Sequence, residues 1–399
     1  MNKKLNIDSV FLIILGMLTS LSLPPFNYLI INFLTFTLFF LFLIKKSKQN
    51  KNTKFFFFYG WSFGFGYFIT NLYWISISLT FDQNFKFLIP LTIILIPAFL
   101  GIFYGLVSYF FIALKPKKLI ISFLVFSLIF GVLEFIRGYI LSGFPWNLIA
   151  YSFTNHLEIL SITSIIGTYG FNLFCISLFT SPAIFILRDN KKEIEILIFF
   201  LITLTSSYIY GSSYKTKFNN SDVKIYDYKI RTIGSNISLD RFYSNTDPVS
   251  VIEDLIKISN PNPNEKIIFV WPEGILPDVS QKKLIEYRWL FDDYFNDNHL
   301  LAIGINSQSM ENGSIDYYNS FSVYDHNLNL LNSYNKINLV PFGEFLPLES
   351  LLRRVGLKTI TNNYQSFSKG KKRDIIEIKQ QNFSLKILPL ICYEIIYSG

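Results

Sequence analysis

Seven apolar stretches fill the first half of this chain, at about residues 9–23, 27–44, 55–79, 87–114, 119–136, 159–187 and 193–211. A helix needs about 20 apolar residues to cross the hydrocarbon of a bilayer, where every backbone N–H and C=O must find its partner inside the segment. The pattern therefore predicts a multi-span α-helical membrane domain over residues 1–211. The first stretch is short and ends at Pro24-Pro25, so it crosses tilted or lies partly in the interface. Lys3 and Lys4 before it give it the look of a signal peptide, but no small-residue cleavage site follows, and it reads as retained.

Charge then orients the spans. Lys3 and Lys4 precede the first. Lys45, Lys46, Lys48, Lys51 and Lys54 separate the second from the third. Lys115, Lys117 and Lys118 follow the fourth, and Arg188, Lys191 and Lys192 follow the sixth. The alternate connections are poor in base, with Lys86 alone in one and Arg137 alone in another. The positive-inside rule puts the N-terminus in the cytoplasm, and seven crossings put everything after about residue 212 outside. The net charge of +8 is thus spent in short loop clusters, not on a nucleic-acid-binding face. Gly60-x3-Gly64 and Gly101-x3-Gly105 suit close helix packing. Glu134 and Arg137, three apart near the outer end of the fifth stretch, are costly there and expected to pair, for structure or for function. Gly138 to Asn147 reads as an outer loop with aromatic anchors.

From Asp222 the texture changes. Lys229–Ile233, Lys266–Trp271, Leu300–Ile305, Tyr317–Tyr324, Leu330–Tyr334, Ile375–Ile378 and Leu385–Ile391 read as strands. Val249–Ile258 and Ser280–Phe295 carry helical spacing. Strands alternating with helices predict an α/β layered domain over residues 222–399. The chain has two cysteines, Cys175 in an apolar segment and Cys392 here, so no disulfide framework arises. The histidines His156, His299 and His326 are scattered, without metal-ligand spacing.

Three polar residues stand where predicted strands end. Glu273 follows Trp271-Pro272, Lys336 follows Ser333-Tyr334, and Cys392 closes the stretch Leu388–Ile391. Sites in α/β sheets gather outside strand ends, so one pocket could hold all three. A thiol needs a base to become a nucleophile, and a lysine stabilises both thiolate and oxyanion. Singly, each has a plainer reading: a packing cysteine, a turn carboxylate, a solvated lysine.

The chain resembles the apolipoprotein N-acyltransferases, bacterial membrane enzymes with a nitrilase-like domain. The matching stretches are Pro24-Pro25-Phe26, Glu134-x2-Arg137-Gly138 with Gly143-Phe144-Pro145-Trp146, and Trp271-Pro272-Glu273. They continue with Tyr318-Asn319-Ser320, Tyr334-Asn335-Lys336-x2-Leu339-Val340-Pro341-Phe342-Gly343-Glu344, and Ile391-Cys392-Tyr393-Glu394. The resemblance implies a carbon-nitrogen-hydrolase α-β-β-α sandwich, with Glu273 as general base, Lys336 as electrostatic stabiliser and Cys392 as nucleophile. Glu344 matches a further glutamate near the triad, and Tyr393 and Glu394 match residues that support the cysteine. It implies an acyl chain taken from a phospholipid, usually phosphatidylethanolamine. That chain is held as a thioester, then passed to the N-terminal S-diacylglyceryl cysteine amine of an apolipoprotein at the outer face of the inner membrane. No metal or soluble cofactor and no nucleic acid is implied. The family continues past its cysteine to finish the outer domain and add a last span, whereas here Gly399 stands seven residues beyond Cys392. The outer domain is accordingly expected to be incomplete, as in a truncated reading frame. Two other readings stay open. One is a membrane-tethered nitrilase-type amidase that gives the acyl group to water. The other is a non-catalytic transporter or scaffold with an outer binding domain.

Overall fold

A computed structural model describes residues 3–49, 52–80, 83–114, 116–140, 143–188, 194–222, 226–235, 247–276, 278–311, 313–341, 343–346, 366–380 and 382–397. The chain divides near residue 222 into two compact units.

The first unit is helical. Its helices are α1 (Lys3–Ser20), α2 (Ile30–Gln49), α3 (Thr53–Leu72), α4 (Ile89–Leu114), α5 (Leu119–Tyr139), the single turn α6 (Leu157–Leu160), α7 (Thr163–Thr180), α8 (Pro182–Leu187) and α9 (Ile194–Asn219). Each of the seven apolar stretches carries one or more of them. Among the described residues, five helical segments are long and apolar enough to cross a membrane: Ile30–Gln49, Lys86–Leu114, Leu119–Tyr139, Thr163–Leu187 and Ile194–Asn219. The Ile7–Ser20 helix is shorter, and α3 dilutes its phenylalanines with glycine, tyrosine and serine. The interior is an aromatic core in which Phe36, Phe39, Phe63, Phe126 and Phe130 are fully buried.

Glycine sets the closest approach. A Cβ on Gly60 would collide with the Tyr104 carbonyl oxygen, and one on Gly64 would lie 2.7 Å from the Tyr104 Cβ. The paired glycine motifs therefore let the α3 and α4 backbones touch. The predicted pairing of Glu134 with Arg137 is also present, fully buried and bidentate, at 3.0 and 2.7 Å. Arg137 Nη1 donates in addition to the carbonyls of Phe144 (2.7 Å) and Trp146 (2.9 Å). One ion pair thus ties the end of α5 to the loop that follows it.

The second unit is built on a five-stranded mixed sheet in the order β1-β2-β3-β4-β5. Its strands are β1 (Lys229–Thr232), β2 (Ile267–Trp271), β3 (His299–Glu311), β4 (Ser314–Tyr324) and β5 (Leu330–Asn335). β1, β2 and β3 run parallel; β4 and β5 follow antiparallel. Side chains alternate across a strand, so β2 feeds two cores at once. Ile267, Phe269 and Trp271 face a core shared with α10 (Pro248–Ser259) and the 3-10 turn Leu284–Leu290. Ile268 faces the other core, with Ile376, Ile378 and Phe383 of the hairpin β6 (Ile376–Gln380)–β7 (Phe383–Ile387).

Two expectations change here. Leu284–Leu290 is 3-10, not α-helical, with three residues per turn, and Leu284 and Leu290 are buried together with Phe291 and Phe295 beyond it. The predicted strand Leu385–Ile391 stops at Ile387, and Cys392 opens a 3-10 turn, Cys392–Ile396. Pro389 has no N–H to give to a ladder, so the segment leaves the hairpin before reaching the cysteine.

Candidate active site

All six residues singled out from the sequence lie in the second unit. Glu273 sits in the turn directly after β2, and Gly274 beside it has φ +65°. Its backbone is pressed onto β3. A Cβ on Gly304 would lie 2.6 Å from the Glu273 Cα and 2.9 Å from both its nitrogen and the Pro272 carbonyl oxygen. Gly304 was not singled out, although a lone glycine inside a strand signals just such an approach.

Lys336 follows β5 and is buried. Its Nζ lies 2.9 Å from Glu344 Oε1 and 3.4 Å from Glu273 Oε1. Burial alone would lower its pKa, but the two carboxylates overcome that and raise it. The ammonium is therefore charged at neutral pH. Glu344 is anchored on its other side by the Val340 N–H, 2.8 Å from Oε2. Asn319 on β4 joins the two acids: its Nδ2 is 2.5 Å from Glu273 Oε1 and 2.6 Å from Glu344 Oε1.

Cys392 is exposed and has φ +54°, a left-handed conformation that costs a residue with a Cβ about 1–2 kcal/mol. Desolvation of the sulfur, then the Glu273 carboxylate, push the thiol above its usual pKa, against the pull of Lys336 and the Tyr393 backbone N–H. The resting arrangement is thus a neutral thiol facing a cation and two acids. Tyr393 places its ring 5.4 Å from Lys336 Nζ and donates its hydroxyl to the Leu339 carbonyl at 2.7 Å.

Glu394 lies behind this layer and is fully buried. It accepts from the N–H groups of Ile337 (2.9 Å), Asn338 (3.1 Å) and Ile391 (2.9 Å), from the Tyr334 hydroxyl (2.9 Å) and from Arg373 (3.2 Å). Burial would raise its pKa; the backbone N–H bonds outweigh that and lower it. Glu394 therefore pins the residue before Cys392 to the residues after Lys336. Arg373 and Tyr334 complete this arrangement, and neither carried a role in the sequence reading.

The electrostatics make a prediction with two opposed readouts. Glu273→Gln removes a charge that holds the thiol up and, with it, a carboxylate able to accept the thiol's proton. We expect Cys392 to be alkylated faster at neutral pH, while a reaction that needs this carboxylate as its base falls by about a hundredfold or more. Alkylation rate and turnover, measured on one preparation, check this. Slower alkylation together with slower turnover would contradict the charge arrangement.

Comparison with known proteins covers both units. A family model of the apolipoprotein N-acyltransferase N-terminal domain matches residues 15–179, and one of the carbon-nitrogen hydrolases matches residues 269–399. An apolipoprotein N-acyltransferase of Rhizobium etli is 30% identical over 402 residues, covering 96% of this chain and 73% of the relative. One of Rhizobium leguminosarum bv. trifolii is 30% identical over 98% of this chain and 74% of its own length. One of Rhodopseudomonas palustris is 28% identical, again over 98% of this chain and 74% of its own length.

Proposed function

The chain belongs to the apolipoprotein N-acyltransferase family, and on that premise we propose that it moves an acyl chain from a phospholipid to the N-terminal amine of a diacylglyceryl apolipoprotein, through a thioester on Cys392. The observation that carries this reading is the packing of Glu273, Glu344 and Lys336 against one another, with the Cys392 thiol in their combined field.

Because the thiol rests neutral, attack requires a base, and Glu273 takes its proton as sulfur bonds to the ester carbonyl carbon. The carbonyl oxygen becomes an oxyanion, stabilised by the Lys336 ammonium. The C–O bond then breaks, and Glu273 returns the proton to the departing lysophospholipid hydroxyl. In the second half the amine attacks the thioester. Its proton goes to Glu273, the C–S bond breaks, and the thiolate leaves and is reprotonated. Glu344 serves by keeping Lys336 charged and in place. Phosphatidylethanolamine is the donor suggested by the resemblance. The basic loops Lys45–Lys54 and Lys115–Lys118 favour a cytoplasmic N-terminus and an outer catalytic unit in the inner membrane.

The test is reconstitution of the full chain in phosphatidylethanolamine vesicles with a diacylglyceryl lipopeptide, read by mass spectrometry. N-acylated peptide and lysophospholipid are expected in equal amounts. Free fatty acid without acylated peptide would mean that water is the acceptor, as in an amidase, and would overturn the proposal.

A further inference from the structure

Glu273 makes its hydrogen bonds, among the described residues, through one oxygen. Oε1 accepts from Asn319 Nδ2 at 2.5 Å and from Lys336 Nζ at 3.4 Å. The second proton of the same amide group goes to Glu344 Oε1 at 2.6 Å. A side-chain amide has two N–H donors, and both are used here on carboxylates. The opposite amide orientation would set an oxygen against both acids, so chemistry fixes the assignment. The backbone of Asn319 also takes part: its carbonyl accepts from the Lys336 N–H at 2.9 Å. Asn319 is nearly buried on β4, in register with Asn306 of β3. One rigid strand residue thus touches all three charged members of the site.

We propose that Asn319 is a positioning residue that clamps Glu273 Oε1, leaving Oε2 as the atom that exchanges a proton with the Cys392 thiol. This rests on the triad reading above. With Oε1 held by two donors, the carboxylate cannot rotate to offer it to the thiol. Glu344 is held by the same amide, so Asn319 also keeps two like charges at a fixed separation on either side of one ammonium.

The experiment follows formation of the acyl-enzyme on the full chain, using a labelled phosphatidylethanolamine, as a function of its concentration. Asn319→Ala is expected to slow acylation by about tenfold or more, in line with losing an oriented base. The loss should lie in the rate at saturating phospholipid, with the half-saturating phospholipid concentration unmoved, because Asn319 holds the base and not the lipid. Asn319→Asp is nearly isosteric, so it preserves packing while adding a third negative charge. It should be slower than Asn319→Ala at neutral pH, with the half-saturating phospholipid concentration again unmoved. Asn319→Asp acylating as fast as the parent chain, or a loss in Asn319→Ala that lies in the half-saturating phospholipid concentration, would overturn the clamp and leave Asn319 a packing residue. Labelled adduct surviving in Cys392→Ala would instead sink the triad reading itself.

Discussion

Cys392→Ser and Cys392→Ala are expected to leave the chain folded and without acyl transfer. Both replacements keep a Cβ, so neither changes the backbone cost of φ +54°, and Cys392 is exposed, so neither opens a cavity. Loss of function with an unchanged melting temperature then reports chemistry alone. Removing a nucleophile that works with a base as one unit costs roughly 10^4-fold or more in turnover. Serine does not rescue it, because its hydroxyl is a far weaker acid than a thiol and a poorer leaving group when the amine attacks. Cys392→Gly separates the two roles of the position. It is equally inactive, but a glycine adopts the left-handed conformation freely, so the variant should be more stable by about 1 kcal/mol. Strain of this kind persists where surrounding structure holds it in place, and here the Ile391 and Tyr393 contacts do so. Mass spectrometry of the intact protein after exposure to phospholipid reads the thioester, and thermal unfolding reads the strain. An acyl adduct on the alanine variant would exclude Cys392 as the nucleophile. A glycine variant less stable than the parent would exclude stored strain.

Composition carries the first unit more plainly than the second. Apolar runs reveal where helices lie because lipid demands them, and each run does hold a helix. The same signal is weaker for α3, where Gly60, Gly64 and Gly66 lower the hydropathy for the sake of backbone contact. In the second unit, alternation finds the strands, and the residues just past β2 and β5 are Glu273 and Lys336 as expected from strand ends. The cysteine is different. Leu388 to Ile391 has strand-like composition, yet Leu388 and Leu390 are exposed and Pro389 interrupts the ladder. Its place beside Lys336 comes from a buried carboxylate, and sequence spacing does not encode that. Asn319 stands in a stretch that carries the resemblance, but its role was hidden: an asparagine on an alternating strand looks like any solvent-facing residue until two acids from distant turns fold onto it. The packing of β3 against the Glu273 turn had a readable sign in Gly304, because a strand has little other use for a residue without a side chain.

Glu394 should show the largest effect on stability. Glu394→Ala leaves three backbone N–H groups, a tyrosine hydroxyl and a guanidinium without their acceptor. Breaking a buried charged pair costs roughly 3–5 kcal/mol, before the orphaned amides are counted. Both ends of the site should loosen together, because the amides of Ile337 and Asn338 and that of Ile391 share this one carboxylate. Hydrogen exchange at those three positions is expected to accelerate, and acyl transfer to fall with it. Glu394→Gln is not a rescue. Its amide group must turn one donor toward groups that are themselves donors. The pH dependence follows from the lowered pKa of Glu394. A carboxyl held below its ordinary value contributes stability that is fully present above that value. The contribution is lost as pH falls through the folded-state value, where protonation must precede or accompany unfolding. The stability difference between the parent chain and Glu394→Gln should therefore be widest near neutral pH and shrink in acid. A difference that stays constant into acid would show that the charge of Glu394 adds nothing. The link between the Cys392 turn and the Lys336 loop would then be one of shape alone.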